Sequence, residues 1–319
     1  MVTLGPASLH LASALAEAGA TAFRINAAHL SPAALGKAAS SIASALPGLP
    51  LVVDLQGAKM RLGWFAERAV ADRERVVFAI AESGEDGIPL PHPELFQAVR
   101  PGDTVSVDDG RLSFRVEDCP RPGLLLVESM ANGLLKPRKG VNLVEHPVEL
   151  CTLGAADRER VLTTGHLPGV CFAFSFMKTG AEADWVRQLC PGRPVIGKIE
   201  RREAIENIET IAGATDALWI CRGDLGAQLG PTAMASWIAR FSPCNVITPV
   251  LMAGQVLEHL RQNRSPTRSE VCHLFDLVAV RGYAGIVLSD ETAIGTEPIE
   301  ATRTASSLLR AFTRETTGC

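Results

Sequence analysis

Eight short apolar runs, most of them followed by a stretch with helical spacing, constrain this chain more than any other feature. The runs are read at 2–4, 21–25, 50–54, 170–176, 194–199, 216–221, 245–250 and 284–288. Helical spacing fits 9–18, 32–45, 156–164, 181–189, 204–212, 233–239, 255–260, 271–280 and 299–312. Near-continuously apolar strands alternating with helices are the pattern of a parallel sheet covered on both faces. Eight such units predict closure into an α/β (β/α)8 TIM barrel.

The rhythm breaks once. More than a hundred residues separate Leu55 from Cys171, too many for a loop without structure of its own. Within them, Val76-Val77-Phe78, Thr104–Val107, Leu112–Val116 and Leu124–Glu128 are short alternating runs between turn signals. Asp108-Asp109-Gly110-Arg111 marks a hairpin. The expected organisation is a barrel domain at 1–64 and 144–319, with a small β domain at 65–143 inserted after the third strand. Placed there, it is expected to act as a lid over the barrel's C-terminal rim.

Bulk properties exclude several classes. A formal net charge of −4 offers no general attraction to nucleic acid or an anionic membrane. No apolar stretch is long enough to span a bilayer, and the start lacks an export signal, so a cytoplasmic protein is expected. The eight cysteines show neither CxxC spacing nor a Cys/His cluster, and are read as buried thiols.

The chemistry is expected where apolar runs end in charge. Lys198 lies near the end of one run and Glu200 follows it, while Arg222 and Asp224 follow the next, each pair two residues apart. Period two on an extended strand puts the members of a pair on one face. Charges at the ends of apolar strands are costly unless paired or metal-bound. Two carboxylates on a barrel rim suit a hard divalent cation and an oxyanion substrate.

The order of motifs resembles the pyruvate kinase family over nearly the whole chain. The resemblance is carried by Thr3-Leu4-Gly5-Pro6-Ala7-Ser8, Arg24-Ile25-Asn26-Ala27-Ala28-His29, and Asp54 through Gly63. It continues through Val107-Asp108-Asp109-Gly110, Lys139–Leu143, Lys198-Ile199-Glu200, Arg222-Gly223-Asp224-Leu225-Gly226, Ser265–Arg268 and Leu288–Ala293. It implies phosphoryl transfer between phosphoenolpyruvate and ADP, giving pyruvate and ATP. Glu200 and Asp224 would hold Mg2+ or Mn2+, while Lys198 and Arg24 would face the moving phosphoryl group. Arg222 and Ser289 join the expected catalytic set. Gly223, Asp224, Arg24 and Gly254 are expected around the substrate carboxylate and phosphate. Pro6, Asn26, His29, Arg61 and Lys139 match the family's nucleotide contacts.

Departures from the family pattern carry expectations of their own. Ala28 and Leu55 offer no side-chain oxygen at two of four positions that hold K+ in potassium-dependent members, leaving Asn26 and Asp54. Lys59 replaces an acidic residue and is read as a surrogate for the monovalent cation, so K+ is not expected. Gly254 stands where the family has a threonine near the enolate, which predicts altered protonation or room for a larger 2-oxo acid. Asp290 replaces a glycine, with Arg281 as its expected partner. The residues after the eighth helix leave no room for the family's C-terminal domain, so a short form without its regulation is expected, with a homodimer as one assembly. The competing readings are a metal-dependent lyase, aldolase or decarboxylase acting on a 2-oxo acid, and a non-catalytic sensor of phosphoenolpyruvate or nucleotide.

Overall fold

Eight parallel strands form the first sheet: β1 (Val2–Leu4), β2 (Phe23–Asn26), β3 (Leu51–Leu55), β4 (Val170–Phe174), β5 (Val195–Ile199), β6 (Ala217–Cys221), β7 (Val250–Ala253) and β8 (Gly285–Val287). Each pairs with the next in chain order, and the ends meet. The Thr3 N–H donates to Leu288 O and the Leu288 N–H to Met1 O, both at 3.0 Å, so the sheet is a TIM barrel. The computed structural model describes residues 1–81, 87–108, 110–145, 148 and 152–316. It divides into two units, Met1–Gly57 with Thr152–Cys319, and Ala58–Cys151.

Each strand is apolar throughout because both of its faces are buried, yet period two still sorts the side chains. Leu51, Val53 and Leu55 of β3 pack outward among the helices, as do Phe23 and Ile25 of β2 and Leu218 and Ile220 of β6. Val52, Ala173, Ile196, Trp219, Cys221, Ala253 and Val287 fill the lumen. Each buried Leu, Ile or Phe contributes roughly 1.5–3 kcal/mol, so the outer layer dominates stability. The same alternation sends Arg24, Asp54 and Lys198 into the lumen, because each lies between outward-facing neighbours.

Seven of the eight predicted strands overlap their observed positions closely, and the seventh in chain order is corrected. The β-branched run Val246-Ile247-Thr248 suggested a strand at 245–250, but β7 is Val250–Ala253. Pro249 has no N–H for a ladder, and its carbonyl accepts Leu218 N–H at 2.8 Å at the point where pairing begins. Ile247 is left 89% exposed, while Thr248 donates to Ala212 O at 2.6 Å. Several helices also differ from their predicted form: the one read at 9–18 opens with a 3-10 turn at Leu9–Leu11 before the α-helix Ala12–Glu17, and the one read at 255–260 is reduced to a 3-10 turn at Glu258–Arg261. The one read at 204–212 is split into Arg202–Glu206 and Ile208–Ala214, and Asn207 at the break donates to Glu203 O and Lys178 O. The one read at 271–280 starts at Arg268 behind a Thr267/Glu270 capping box and widens into a π turn over Asp276–Val280.

The second unit is built from strands at Met60–Arg61, Gly140–Leu143, Thr104–Val107, Leu112–Arg121, Leu124–Ser129, Arg75–Ala79 and Ile88–Pro89, in that order across one sheet. Its core includes Phe78 and Phe114, edge to face at 5.3 Å. Met60 and Arg61 pair with Val141 and Gly140, so the segments leading in and out belong to this sheet. For that reason the unit is wider than 65–143. The predicted hairpin joins Val107 to Leu112, with Asp108 and Gly110 at positive φ; Asp109 lies outside the described residues.

The cysteine expectation is corrected as well. Cys221 is buried, Cys119, Cys171 and Cys190 are partly buried, and Cys244 and Cys272 are exposed, the last two on helix surfaces facing solvent. Cys151 and Cys319 lie outside the described residues. Among the described residues no helix is long and apolar enough to cross a membrane.

Candidate active site

The C-terminal ends of β1 to β5 deliver a connected group of polar side chains into the lumen. Arg24 donates from Nε and Nη2 to Asp54 Oδ2 at 2.8 and 2.6 Å, and from Nη1 to Thr3 Oγ1 at 3.1 Å. Lys198 donates to both Asp54 oxygens at 3.1 and 3.2 Å and to Ser175 Oγ at 2.9 Å, and pairs with Glu200 Oε1 at 3.0 Å. The other Glu200 oxygen accepts the Phe176 N–H at 2.8 Å. Lys198 and Glu200 therefore share a face, as their spacing predicts.

Burial alone would neutralise such groups, and here the pairing overrides it. Desolvation pushes the Lys198 ammonium toward neutrality, but Asp54 and Glu200 hold it well above the usual lysine range. Desolvation likewise works against charge on Asp54, yet Lys198 and Arg24 keep its carboxyl below the ordinary range. Lys198 is thus a fixed cation at any physiological pH. It has no free amine with which to attack a carbonyl.

The loop after β3 is tied to this group by backbone packing. Ser175 Oγ donates to Leu55 O at 2.7 Å. Gly57 takes φ +55°, and a Cβ there would lie 2.0 Å from Ser175 O. Asp157, buried on the helix Ala155–Thr164, accepts the Gln56 and Gly57 amides at 3.1 and 2.7 Å and is itself paired with Arg160 at 2.7 Å.

On the opposite side of the rim the expected symmetry between the two acid–base pairs is not kept. Residues 222–224 are not an extension of β6; they open the helix Arg222–Leu229, so a two-residue spacing no longer places side chains together. Arg222 instead donates to Gly254 O at 2.9 and 2.7 Å and to Gln255 O at 2.7 Å, and its Nη1 lies 2.9 Å from His273 Nε2. Burial and then the Arg222 charge lower the affinity of His273 for a proton, so its Nε2 is the acceptor. Asp224 is partly buried in the first helical turn. Both it and Glu200 act on Cys221, whose thiol is raised first by burial and then by Glu200.

Gly254 has φ +85°, where a threonine would be strained. A Cβ on it would face the Gly223 and Arg222 amide nitrogens at 3.5 and 3.6 Å, so this glycine borders the N-terminal amides of the Arg222–Leu229 helix. Ser289, partly buried, follows β8; its N–H and that of Leu257 donate to Glu291 at 2.6 and 3.2 Å, tying the loops after β7 and β8 together. Asp290 lies 3.8 Å from Arg261, while Arg281, its expected partner, is held by Asp276 at 2.5 Å. Arg281 is five residues from Asp276 at the end of the π turn, which brings those two together first.

The expected nucleotide positions divide between the units. Pro6 and His29 are exposed on the loops after β1 and β2, and Asn26 Oδ1 caps the turn Ala27–His29 through the Ala28 N–H at 3.1 Å. Arg61 and Lys139 are neighbours in the second unit through the Arg61–Gly140 pairing. There Arg61 donates to Arg138 O at 3.1 Å and Lys139 pairs with Asp108 at 2.8 Å. Lys59 lies two residues before Arg61 on the same segment.

Two members of the lumen group, and the acid that holds the loop beside it, escaped the sequence reading. Ser175 continues the inward series of Cys171 and Ala173, a signal that period two carries. Thr3 is polar in an otherwise apolar strand. The role of Asp157, a hundred residues from its amide partners, has no local signal.

The chain matches the family described as pyruvate kinase, barrel domain, over residues 1–302. It is 33% identical to pyruvate kinase of Mycobacterium intracellulare over 328 residues, covering 96% of this chain and 68% of that protein. Against the Agrobacterium vitis pyruvate kinase the identity is 31%, covering 94% and 65%. The crystal structure of pyruvate kinase from Pyrobaculum aerophilum superposes with a TM-score of 0.81 at 26% identity, covering 97% of this chain and 72% of that one. The chain spans about two thirds of the length of the curated relatives.

Proposed function

Since this chain belongs to the pyruvate kinase family, we propose that it transfers the phosphoryl group of phosphoenolpyruvate to ADP. The P–O bond to the enol oxygen breaks, a bond from phosphorus to an ADP β-phosphate oxygen forms, and the enolate left behind takes a proton to give pyruvate. The observation that carries this reading is the buried Lys198 ammonium, held by Asp54, Ser175 and Glu200 beside Arg24. A phosphoryl group in transfer spreads negative charge over its oxygens, and fixed cations in a dry site stabilise it without reorganising.

Glu200 and Asp224 fit a hard divalent ion by donor type, since carboxylates with lone pairs to spare suit Mg2+ or Mn2+ that keeps several waters. When bound, the ion would supply Lewis-acid stabilisation of phosphoryl and enolate oxygens. In the lumen and on the rim, Arg24, Lys198 and Arg222 balance the charge of Asp54, Glu200 and Asp224. A divalent ion would tip that balance to positive and attract an anionic substrate. The amides at the start of Arg222–Leu229 are donors for the substrate carboxylate, and Gly254 leaves them uncovered. Pro6, Asn26, His29, Arg61 and Lys139 are assigned to the nucleotide.

Potassium has no part in this reading. Asp54, one of the two oxygen-bearing positions left, already has both oxygens engaged by cations, and Asn26 Oδ1 is taken by its own turn. Lys59 is assigned as the substitute charge.

The test is ATP formation from phosphoenolpyruvate and ADP with Mg2+ or Mn2+. Wild type is expected to form ATP and pyruvate in equal amounts, and Lys198→Ala to abolish both while substrate still binds. Oxaloacetate decarboxylation or aldol cleavage without nucleotide, in the absence of ATP formation, would overturn the kinase reading.

A further inference from the structure

Trp219 is the largest side chain in the barrel lumen and only 1% exposed. It projects inward from the middle of β6, between outward-facing Leu218 and Ile220, and its register partner on β5 is Lys198. It therefore lies at the level of the charged group. Its indole Nε1 is buried with no hydrogen-bond partner among the described residues.

A leucine would fill much of that volume with no polar atom, whereas an orphaned N–H costs stability. Something must favour the indole, and the neighbour above it supplies a reason. The Arg24 guanidinium carbon is 5.9 Å from the Trp219 ring centroid, within range for a cation on an aromatic face. Three of the five Arg24 N–H groups are used, two on Asp54 and one on Thr3. Two remain. Asp54 and Thr3 grip the edges of the guanidinium, and the indole ring lies against its face, where it helps hold the plane in which the remaining N–H groups point.

We propose that Trp219 is a positioning residue: the platform that orients Arg24 so that its two uncommitted N–H groups meet the substrate's phosphoryl oxygens. This rests on the phosphotransferase reading of Arg24. The distinguishing consequence is selective. An effect routed through Arg24 touches phosphoenolpyruvate and spares ADP, whereas general loosening of the barrel affects both substrates.

The test uses the full chain carrying Trp219→Phe or Trp219→Leu. The leucine variant is expected to raise KM for phosphoenolpyruvate about tenfold, the loss of a desolvated cation–π contact, and phenylalanine to restore part of it. KM for ADP is expected to stay unchanged in both. Equal behaviour of the two variants, or equal shifts in both KM values, would overturn the proposal. Tryptophan fluorescence titrated with inorganic phosphate is the readout that needs no turnover. Phosphate is expected to change wild-type emission, and the change to vanish in Trp219→Phe, which is the variant that keeps the core filled. A signal that survives in Trp219→Phe, or no signal in wild type, would overturn it. A wild type that responds to phosphate through Trp219 but forms no ATP would leave the platform standing and remove the kinase reading.

Discussion

Replacing Asp54 by asparagine should cost the barrel heavily, because one carboxylate holds both the buried Lys198 and the mostly buried Arg24. The amide would keep the shape and one acceptor oxygen, but would turn an NH2 group toward donors. Arg24 would lose at least one of its bonds at 2.6 and 2.8 Å, and Lys198 one of two at 3.1 and 3.2 Å. Some compensation remains, since Lys198 keeps Ser175 and Glu200, and Arg24 keeps Thr3 and the Trp219 face. Breaking a buried pair by removing one partner costs about 3–5 kcal/mol, roughly a hundred- to a several-thousand-fold loss in the folding constant. Urea unfolding at pH 7, followed by far-UV circular dichroism, reads that loss as a fall in the barrel transition's midpoint at unchanged m-value. The pH dependence gives a second check. The carboxyl is lowered in the folded protein, so its stabilisation is complete above its unfolded value of about 3.9 and fades as pH falls through the folded one. The gap between wild type and Asp54→Asn should therefore be constant from about pH 5 to 7 and narrow in acid. A loss below about 1 kcal/mol at pH 7, the scale of an exposed ion pair, would refute the reasoning.

Gly57→Ala should destabilise by at least about 2 kcal/mol and lower kcat, because its Cβ would meet Ser175 O at 2.0 Å at a positive φ; an unchanged melting temperature would contradict this. Alkylation followed by peptide mass spectrometry should label exposed Cys244 and Cys272 first and Cys221 only after unfolding, since burial raises that thiol and hides it; early labelling of Cys221 would be the contrary result. Exchanging K+ for tetramethylammonium at fixed ionic strength should leave kcat/KM unchanged, and a large fall would restore a monovalent cation to the site.

The barrel was legible because its strands are apolar on both faces and regularly spaced, a pattern that few other folds require. The Lys198–Glu200 pairing was legible too, since both lie on one extended segment where period two holds. The parallel expectation for Arg222 and Asp224 failed because a helix begins at Arg222, and nothing before Gly223 signals that the strand has ended. For β7, the β-branched residues before Pro249 outweighed the proline in the reading, whereas the ladder obeys the missing N–H.

Local sequence thus determined the elements, their inward and outward faces and the charged residues at the strand ends, because those follow from spacing along a few residues. Which charges meet was decided by closure of the barrel. Lys198 and Asp54 are 144 residues apart, Thr3 and Trp219 come from other strands again, and Ser175 from the turn after β4. Their contacts depend on inter-strand register and on the circumference at which eight strands meet, and the cost of leaving any of them unpaired arises only once the lumen is dry.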